Sequence, residues 1–144
     1  MASRLTTLIS LVLLQLLVLG TLAQGDPKRV AIKLSVESEL SNGEVPIKVY
    51  ATSVVEGGIL LGALRRLEIT NQDFKFTVTE NLDYGLFLES VNGLAGAKAD
   101  RTYWELLSES SGVLTRLDTG IGCYRPVENE HIILRFSTWS ERRG

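Results

Sequence analysis

Apolar and polar residues alternate from Arg29 to Val36. Val30, Ile32, Leu34 and Val36 share one face, and Arg29, Lys33 and Ser35 the other. Period-two alternation predicts a half-buried strand. Val45, Ile47, Val49 and Ala51 alternate in the same way and predict a second strand with these four on its inner face. Between the two lies Asn42-Gly43, a strong hairpin signal. Gly57-Gly58 interrupts the pattern, and from Ile59 the period becomes helical. Leu60, Leu64 and Leu67 fall at i, i+4 and i+7, with Leu61 and Ala63 beside them and Arg65, Arg66 and Glu68 outside. One helix of about three turns is expected, its apolar stripe laid over a sheet.

Alternation then returns. Phe74, Phe76 and Val78 mark a third strand, Asn81 to Tyr84 a turn, and Leu86 to Val91 a fourth strand that ends at the turn signal Asn92-Gly93. Gly93 to Asp100 reads as a mobile loop. Thr102 to Leu107 reads as a strand carrying Tyr103 and Trp104, and Ser108 to Gly112 as a loop. Leu117 to Tyr124 reads as a strand entered through a tight approach at Gly120-Ile121-Gly122 and stopped by Pro126. Ile132, Leu134, Phe136 and Thr138 alternate with Ile133, Arg135, Ser137 and Trp139 in a last strand, His131 to Trp139. The sum is an α+β fold: mainly antiparallel β-sheets with one packed helix, in a β-grasp-like arrangement.

The first 23 residues change the picture of where this fold resides. One charge, Arg4, precedes an apolar run from Leu5 to Leu22 that ends at Thr21-Leu22-Ala23. That pattern is a secretory signal peptide over residues 1–23, cut after Ala23. A membrane anchor is the competing reading, but no basic cluster follows the run to hold it in the bilayer. The expectation is a secreted, extracellular domain over 24–144, with no membrane association once the signal is removed. With 15 basic and 17 acidic residues the chain is mildly acidic, so nothing in its charge favours nucleic acid. Cys123 is the only cysteine, which excludes an intramolecular disulfide. Its setting, Gly122-Cys123-Tyr124, reads as strand and favours burial over pairing with another chain. No Asn-x-Ser/Thr acceptor occurs.

Catalytic chemistry has little to draw on. His131 is the one histidine, and neither a triad nor a zinc site assembles around it in sequence. A lone histidine can ligate a transition metal such as cobalt, but no metal site is assigned. Glu128/Glu130 and Glu37/Glu39 read as solvated turn residues. Gly57-Gly58 ahead of the helix could present N–H groups to an anion, and Ser108 to Gly112 could offer hydroxyls and amides or be plain solvated loop. No enzyme is expected. Tyr103 and Trp104 are adjacent on a strand and point to opposite faces. One belongs to the core; the other can stand beside a polar loop as a binding surface.

Several motifs in this tail stand together: Tyr103-Trp104, Leu106-Leu107-Ser108, Gly120-Ile121, Tyr124-x-Pro126, Glu130-His131-Ile132 and a closing strand ending in Trp139. Upstream are Leu60-Leu61-Gly62-Ala63-Leu64 and Val91-Asn92-Gly93. With these the chain resembles the C-terminal β-domain of the transcobalamin, intrinsic factor and haptocorrin family of vitamin B12 carriers, placed behind a signal peptide without the helical domain. The resemblance implies a secreted cobalamin-binding and transport protein, with cobalamin or another corrinoid as carried ligand and no catalytic cofactor. A second protein or a second copy would close the other side of the ligand. By the same resemblance the ligand meets Trp104, Glu105, Leu106, Leu107 and Ser108, with Tyr103 in support, and Asp83, Tyr84, Gly85, Leu86, Phe87 and Leu88 from the strand before the Asn-Gly turn. Glu105 stands where the family motif has glutamine, Cys123 where an acidic residue is usual, and the loop after Ser108 lacks the usual Pro-Leu. The alternative expectation is a secreted protein-interaction module that keeps the fold and no longer binds the vitamin.

Overall fold

The computed structural model describes residues 25–40 and 46–140. The expected signal peptide, the Asn42-Gly43 turn and Val45 lie outside them. Eight strands and one helix follow in order: β1 (Arg29–Ser38), β2 (Lys48–Val55), α1 (Leu60–Thr70), β3 (Phe76–Asn81), β4 (Gly85–Val91), β5 (Leu94–Ala95), β6 (Thr102–Ser110), β7 (Val113–Arg116) and β8 (Glu130–Thr138). They form a five-stranded sheet, β2-β1-β8-β6-β7, and a three-stranded sheet, β3-β4-β5. Pairing is antiparallel throughout except between β1 and β8, which run parallel, with Leu34 beside Ile132 and Val36 beside Leu134. An antiparallel hairpin followed by a helix, with the first and last strands parallel at the centre, is the β-grasp arrangement expected from the pattern.

The core lies between the sheets and the helix. Val30, Ile32, Leu34 and Val36 of β1 meet Ile132, Leu134 and Phe136 of β8, and Leu60, Ala63, Leu64 and Leu67 of α1 cover them. Each large side chain sealed there contributes about 1.5–3 kcal/mol. Phe74, Phe76, Leu88 and Val91 bring the small sheet into the same cluster. Tyr50 stacks edge-on to Phe74 at 5.3 Å, and the Arg65 guanidinium lies 4.8 Å from the Phe76 ring centroid.

The helix has no side-chain N-cap. Its first N–H groups instead donate into the segment before β8, Leu60 N to Tyr124 O at 2.7 Å and Leu61 N to Ile121 O at 2.9 Å. Gly58 N, one of the groups expected to be open to an anion, donates instead to Val55 O at 2.7 Å. Gly58 is required at the entry, because a Cβ there would stand 2.5 Å from Val54 Cγ2 and 2.8 Å from Val55 O.

Four expectations are corrected. The inner face of β2 is Tyr50 and Val54, and Ile47, Val49 and Ala51 face outward. Thr52 sits opposite Ile32, and its hydroxyl donates to Ala63 O on the helix at 2.9 Å, so a polar residue is satisfied on the core side. The span read as a Ser108–Gly112 loop is the end of β6 and a tight turn into β7, with Ser111 and Gly112 at φ 50° and 79°. Leu117 to Tyr124 contains no strand; it crosses as a turn-rich segment, and Cys123 on it is exposed, not buried. Finally, the loop read from Gly93 to Asp100 begins with the short strand β5, formed by the predicted Asn92-Gly93 turn.

Candidate functional site

β7 pairs only with Leu107 to Ser110 of β6. The earlier half of β6, Tyr103 to Leu106, therefore has no strand on that side among the described residues. Its near neighbour is the 117–121 segment, which donates Leu117 N to Leu106 O at 3.0 Å. In an antiparallel strand every second residue directs both backbone groups to the same side, so the Trp104 main-chain N–H and C=O face the same opening as Leu106 O. Along this open edge lies a cavity of about 290 Å3, walled by Leu86, Phe87 and Leu88 of β4, Tyr103 to Leu106 of β6, and Arg116 to Ile121. A second cavity of about 540 Å3 adjoins it, lined by Thr79 to Asn81, Tyr84, Leu86, Phe87 and Gly120. Leu86, Phe87 and Gly120 border both, so the two form one groove.

The groove's outer lip is the β3–β4 hairpin. Asn81 Oδ1 accepts from Asp83 N at 2.8 Å and Tyr84 N at 3.0 Å, and Gly85 takes φ 79°. This holds the turn with its apolar residues outward: Leu82 is 99% exposed, Tyr84 89% and Phe87 53%. The inner wall depends on the Gly120-Ile121-Gly122 approach. A Cβ on Gly120 would meet Leu86 O at 3.4 Å, while Ile121 is buried in the core.

The polar side of the groove is a network. Arg116 donates to Glu105 Oε1 from Nε at 3.2 Å and from Nη2 at 2.8 Å, and Nη2 also donates to Tyr103 Oη at 3.2 Å. Ser137 Oγ donates to Glu105 Oε2 at 3.1 Å, and Trp139 packs edge-on to Tyr103 at 6.0 Å. Partial burial, with the Glu105 charge second, pushes the Tyr103 hydroxyl above its ordinary pKa. The hydrogen bond that Arg116 donates to Glu105 raises the Arg116 pKa above its ordinary value. The groove thus offers an apolar floor, free main-chain groups and a neutralised ion pair at its edge: a place to bind, with no nucleophile.

Of the residues expected to meet a ligand, Tyr84, Leu86, Phe87, Leu88, Tyr103, Trp104, Glu105 and Leu106 line this groove. The structure brings together two segments that sequence leaves far apart. Asp83 and Gly85 lie in the hairpin turn beside it. Leu107 is buried beside Ile133, where β7 already pairs with β6. The Ser108 hydroxyl donates to the buried carboxylate of Glu130 at 2.8 Å and is committed there. Of the adjacent Tyr103 and Trp104, Trp104 is the core member. It is 5% exposed, packs on Phe136 at 5.2 Å, and donates from Nε1 to Leu94 O at 2.8 Å. Only part of its surface reaches the groove. Arg116, Leu117 and Gly120 were missed, although the Gly-Ile-Gly spacing signalled the close approach.

Two other clusters are structural. Glu130 accepts from Ser108, from Val127 N at 2.9 Å and from Tyr124 Oη, and together with burial this pushes the Tyr124 hydroxyl up to about 12. His131 lies between Ser35 Oγ, 2.6 Å from Nε2, and Glu109 Oε2, 3.2 Å from Nδ1. The order Ser–His–Glu resembles a hydrolase triad, but Ser35 is buried in mid-strand with β2 and β8 on either side. Backbone donors there are taken by the ladders, leaving none for an oxyanion. Among the described residues no group of three or more His, Cys, Asp or Glu could hold a metal ion, and no helix is long and apolar enough to cross a membrane.

Relatives place these features. The chain is 32% identical over 111 residues to the cobalamin binding intrinsic factor of Canis lupus familiaris, covering 76% of this chain and 25% of that protein. It is 37% identical over 87 residues to the intrinsic factor of Mus musculus, covering 60% of this chain and 20% of that protein. The chain resembles the C-terminal β-domain of the vitamin B12 carriers. Transcobalamin-1 of Homo sapiens is 31% identical over 88 residues, covering 60% of this chain and 19% of that protein. The chain thus spans about a quarter or less of the carriers it matches. Those relatives are named for binding and carrying, not for catalysis. In fold, haptocorrin in complex with Cbi superimposes with a TM-score of 0.65 at 24% identity, over 81% of this chain and 27% of that one. A metal binding protein of Ruminococcus gnavus, itself so described only putatively, shares the fold at TM-score 0.52 and 16% identity, over 77% of this chain and 99% of that one. No protein-family profile matches the chain.

Proposed function

We propose that this chain is a secreted carrier that binds cobalamin or a related corrinoid along the groove between the β3–β4 hairpin and the open edge of β6. The observation that carries the reading is the meeting of Tyr84 to Leu88 with Tyr103 to Leu106 in one groove, in a chain whose relatives are cobalamin binders. A large flat ligand with a polar periphery suits an apolar floor bordered by backbone amides. Phe87 and Leu86 would lie under its apolar face. The Trp104 main chain and the Glu105–Arg116 pair would meet amide groups at its rim. Release needs no chemistry. This domain contacts one side of the ligand only, so a second protein or a second copy would cover the other. Without that cover affinity falls, because the entropic cost of association remains while contact is lost.

Titration of the purified protein with cobalamin tests this, read by tryptophan fluorescence and corrin absorbance. The expected result is a saturable change at submillimolar ligand. A second reading, a secreted protein-interaction module, is favoured by the exposure of Leu82 and Tyr84, which exceeds what a small-molecule groove requires. It predicts no corrinoid response and capture of a protein partner that a Leu82→Ser, Tyr84→Ser variant fails to capture.

A further inference from the structure

A separate cavity of about 390 Å3 shares one lining residue with the groove. Trp104 borders both spaces. Its walls are Val36 from the end of β1, Pro46, Val91 and Leu94 around the β4–β5 turn, and the indole. Apolar pockets of 300–1,000 Å3 with few polar groups are the usual form of a small-molecule site. The polar groups at this one are unequal. Glu37 is held by Arg135, with Nε 2.6 Å from Oε1. Asn92 is committed on both sides of its amide: Oδ1 accepts from Lys75 N at 3.0 Å, and Nδ2 donates to Tyr50 Oη at 3.3 Å. Lys48 also lines the mouth, and no ion pair among the described residues engages its ammonium. Arg135 also engages Glu39 at 3.5 Å, so what the chamber offers an amphipathic anion is an apolar wall and, at the entrance, an ammonium that no carboxylate among the described residues engages.

We propose that this cavity is a second binding site, for a small apolar carboxylate whose hydrocarbon part lies against Val36, Leu94 and the indole and whose carboxylate pairs with Lys48. Aliphatic and aromatic acids share this chemistry. The site is independent of the corrinoid reading, since it shares only Trp104 with that groove and takes its charge from Lys48.

The test uses decanoate and 2-naphthoate as probes, with decylamine as the charge-reversed control, by calorimetry on the purified protein. Decanoate is also titrated into Trp139→Phe, which leaves Trp104 as the one tryptophan. Saturable binding of either acid is expected, with a Trp104 emission change for decanoate if the aliphatic acid binds. Naphthoate alone would assign the site to aromatic acids. Lys48→Glu should weaken binding about tenfold or more, Lys48→Arg should restore it, and decylamine should not saturate. Lys48 is an exposed residue on an edge strand, so unchanged near-ultraviolet dichroism is expected for its variants. The proposal is overturned if neither acid saturates in the millimolar range, if Lys48→Glu binds as well as the parent, or if decylamine binds as tightly as decanoate.

Discussion

β1 and the tip of the β3–β4 hairpin use their large apolar residues in opposite ways. In β1, Val30, Ile32, Leu34 and Val36 all enter the core, and Leu34 is completely buried. At the hairpin, Leu82, Tyr84 and Phe87 stand in solvent while only Leu88 and Val91 anchor the strand. The difference comes from position in the sheets. β1 lies between β2 and β8 under the helix, so its apolar face has a partner everywhere. The hairpin projects past the core, so the residues at its tip contribute little to folding and are free to contact a ligand. Under the proposed function it is these exposed hairpin residues that meet the ligand.

The sharpest way to break this contrast is to truncate on each side of it. Leu34→Ala should cost 2–5 kcal/mol of stability, measured by urea unfolding, because the void lies where β1, β8 and α1 close together. A smaller loss would mean that the centre can collapse around the gap. Phe87→Ser should leave the unfolding midpoint almost unchanged, within ~0.5 kcal/mol, yet weaken corrinoid binding about tenfold, or ~1.4 kcal/mol. Equal losses in both measurements would dissolve the distinction between cohesion and contact.

The smallest effect concerns protons. Tyr124 has its pKa raised in the folded chain to about 12 from the usual 10 by burial and by Glu130, so the folded state holds that proton more tightly than the unfolded one. The stability this supplies is fully present below pH ~10 and is lost as pH rises from ~10 to ~12. Tyr103 is also raised and adds to the same decline. Tyr124→Phe should flatten the stability–pH curve in that window, seen in urea midpoints at pH 9 and 11. An unchanged slope would remove Tyr124 from the account.

How much of this could be read from the chain depended on whether a local pattern had one meaning. β1 and α1 were legible because each buries one clear apolar stripe, and β8 because its apolar alternation is strong even though Ile133 and Ser137 on its other face are buried too. β2 was misread because Val49 and Tyr50, and Val54 and Val55, put apolar residues on both faces. Thr52 on the inner side also looked polar until Ala63 O supplied its partner. β7 was missed because Ser111-Gly112 lacks the Asn-Gly signature yet adopts the same left-handed turn. For the site, resemblance named two segments that the fold brings to one groove. It could not show that the indole of Trp104 turns inward to Leu94 O while its backbone faces out, nor that Leu107 and Ser108 lie away from the groove. Those are consequences of where β7 pairs along β6 and of what each side chain meets across the core, which only the assembled sheet fixes.

The most direct measurement is cobalamin titration of the parent protein beside Phe87→Ser. If the account is right, the parent gives a saturable shift in corrin absorbance at submillimolar ligand, and the variant needs about ten times more. A parent that shows no saturable shift, or a variant that titrates identically, contradicts the placement of a corrinoid in this groove.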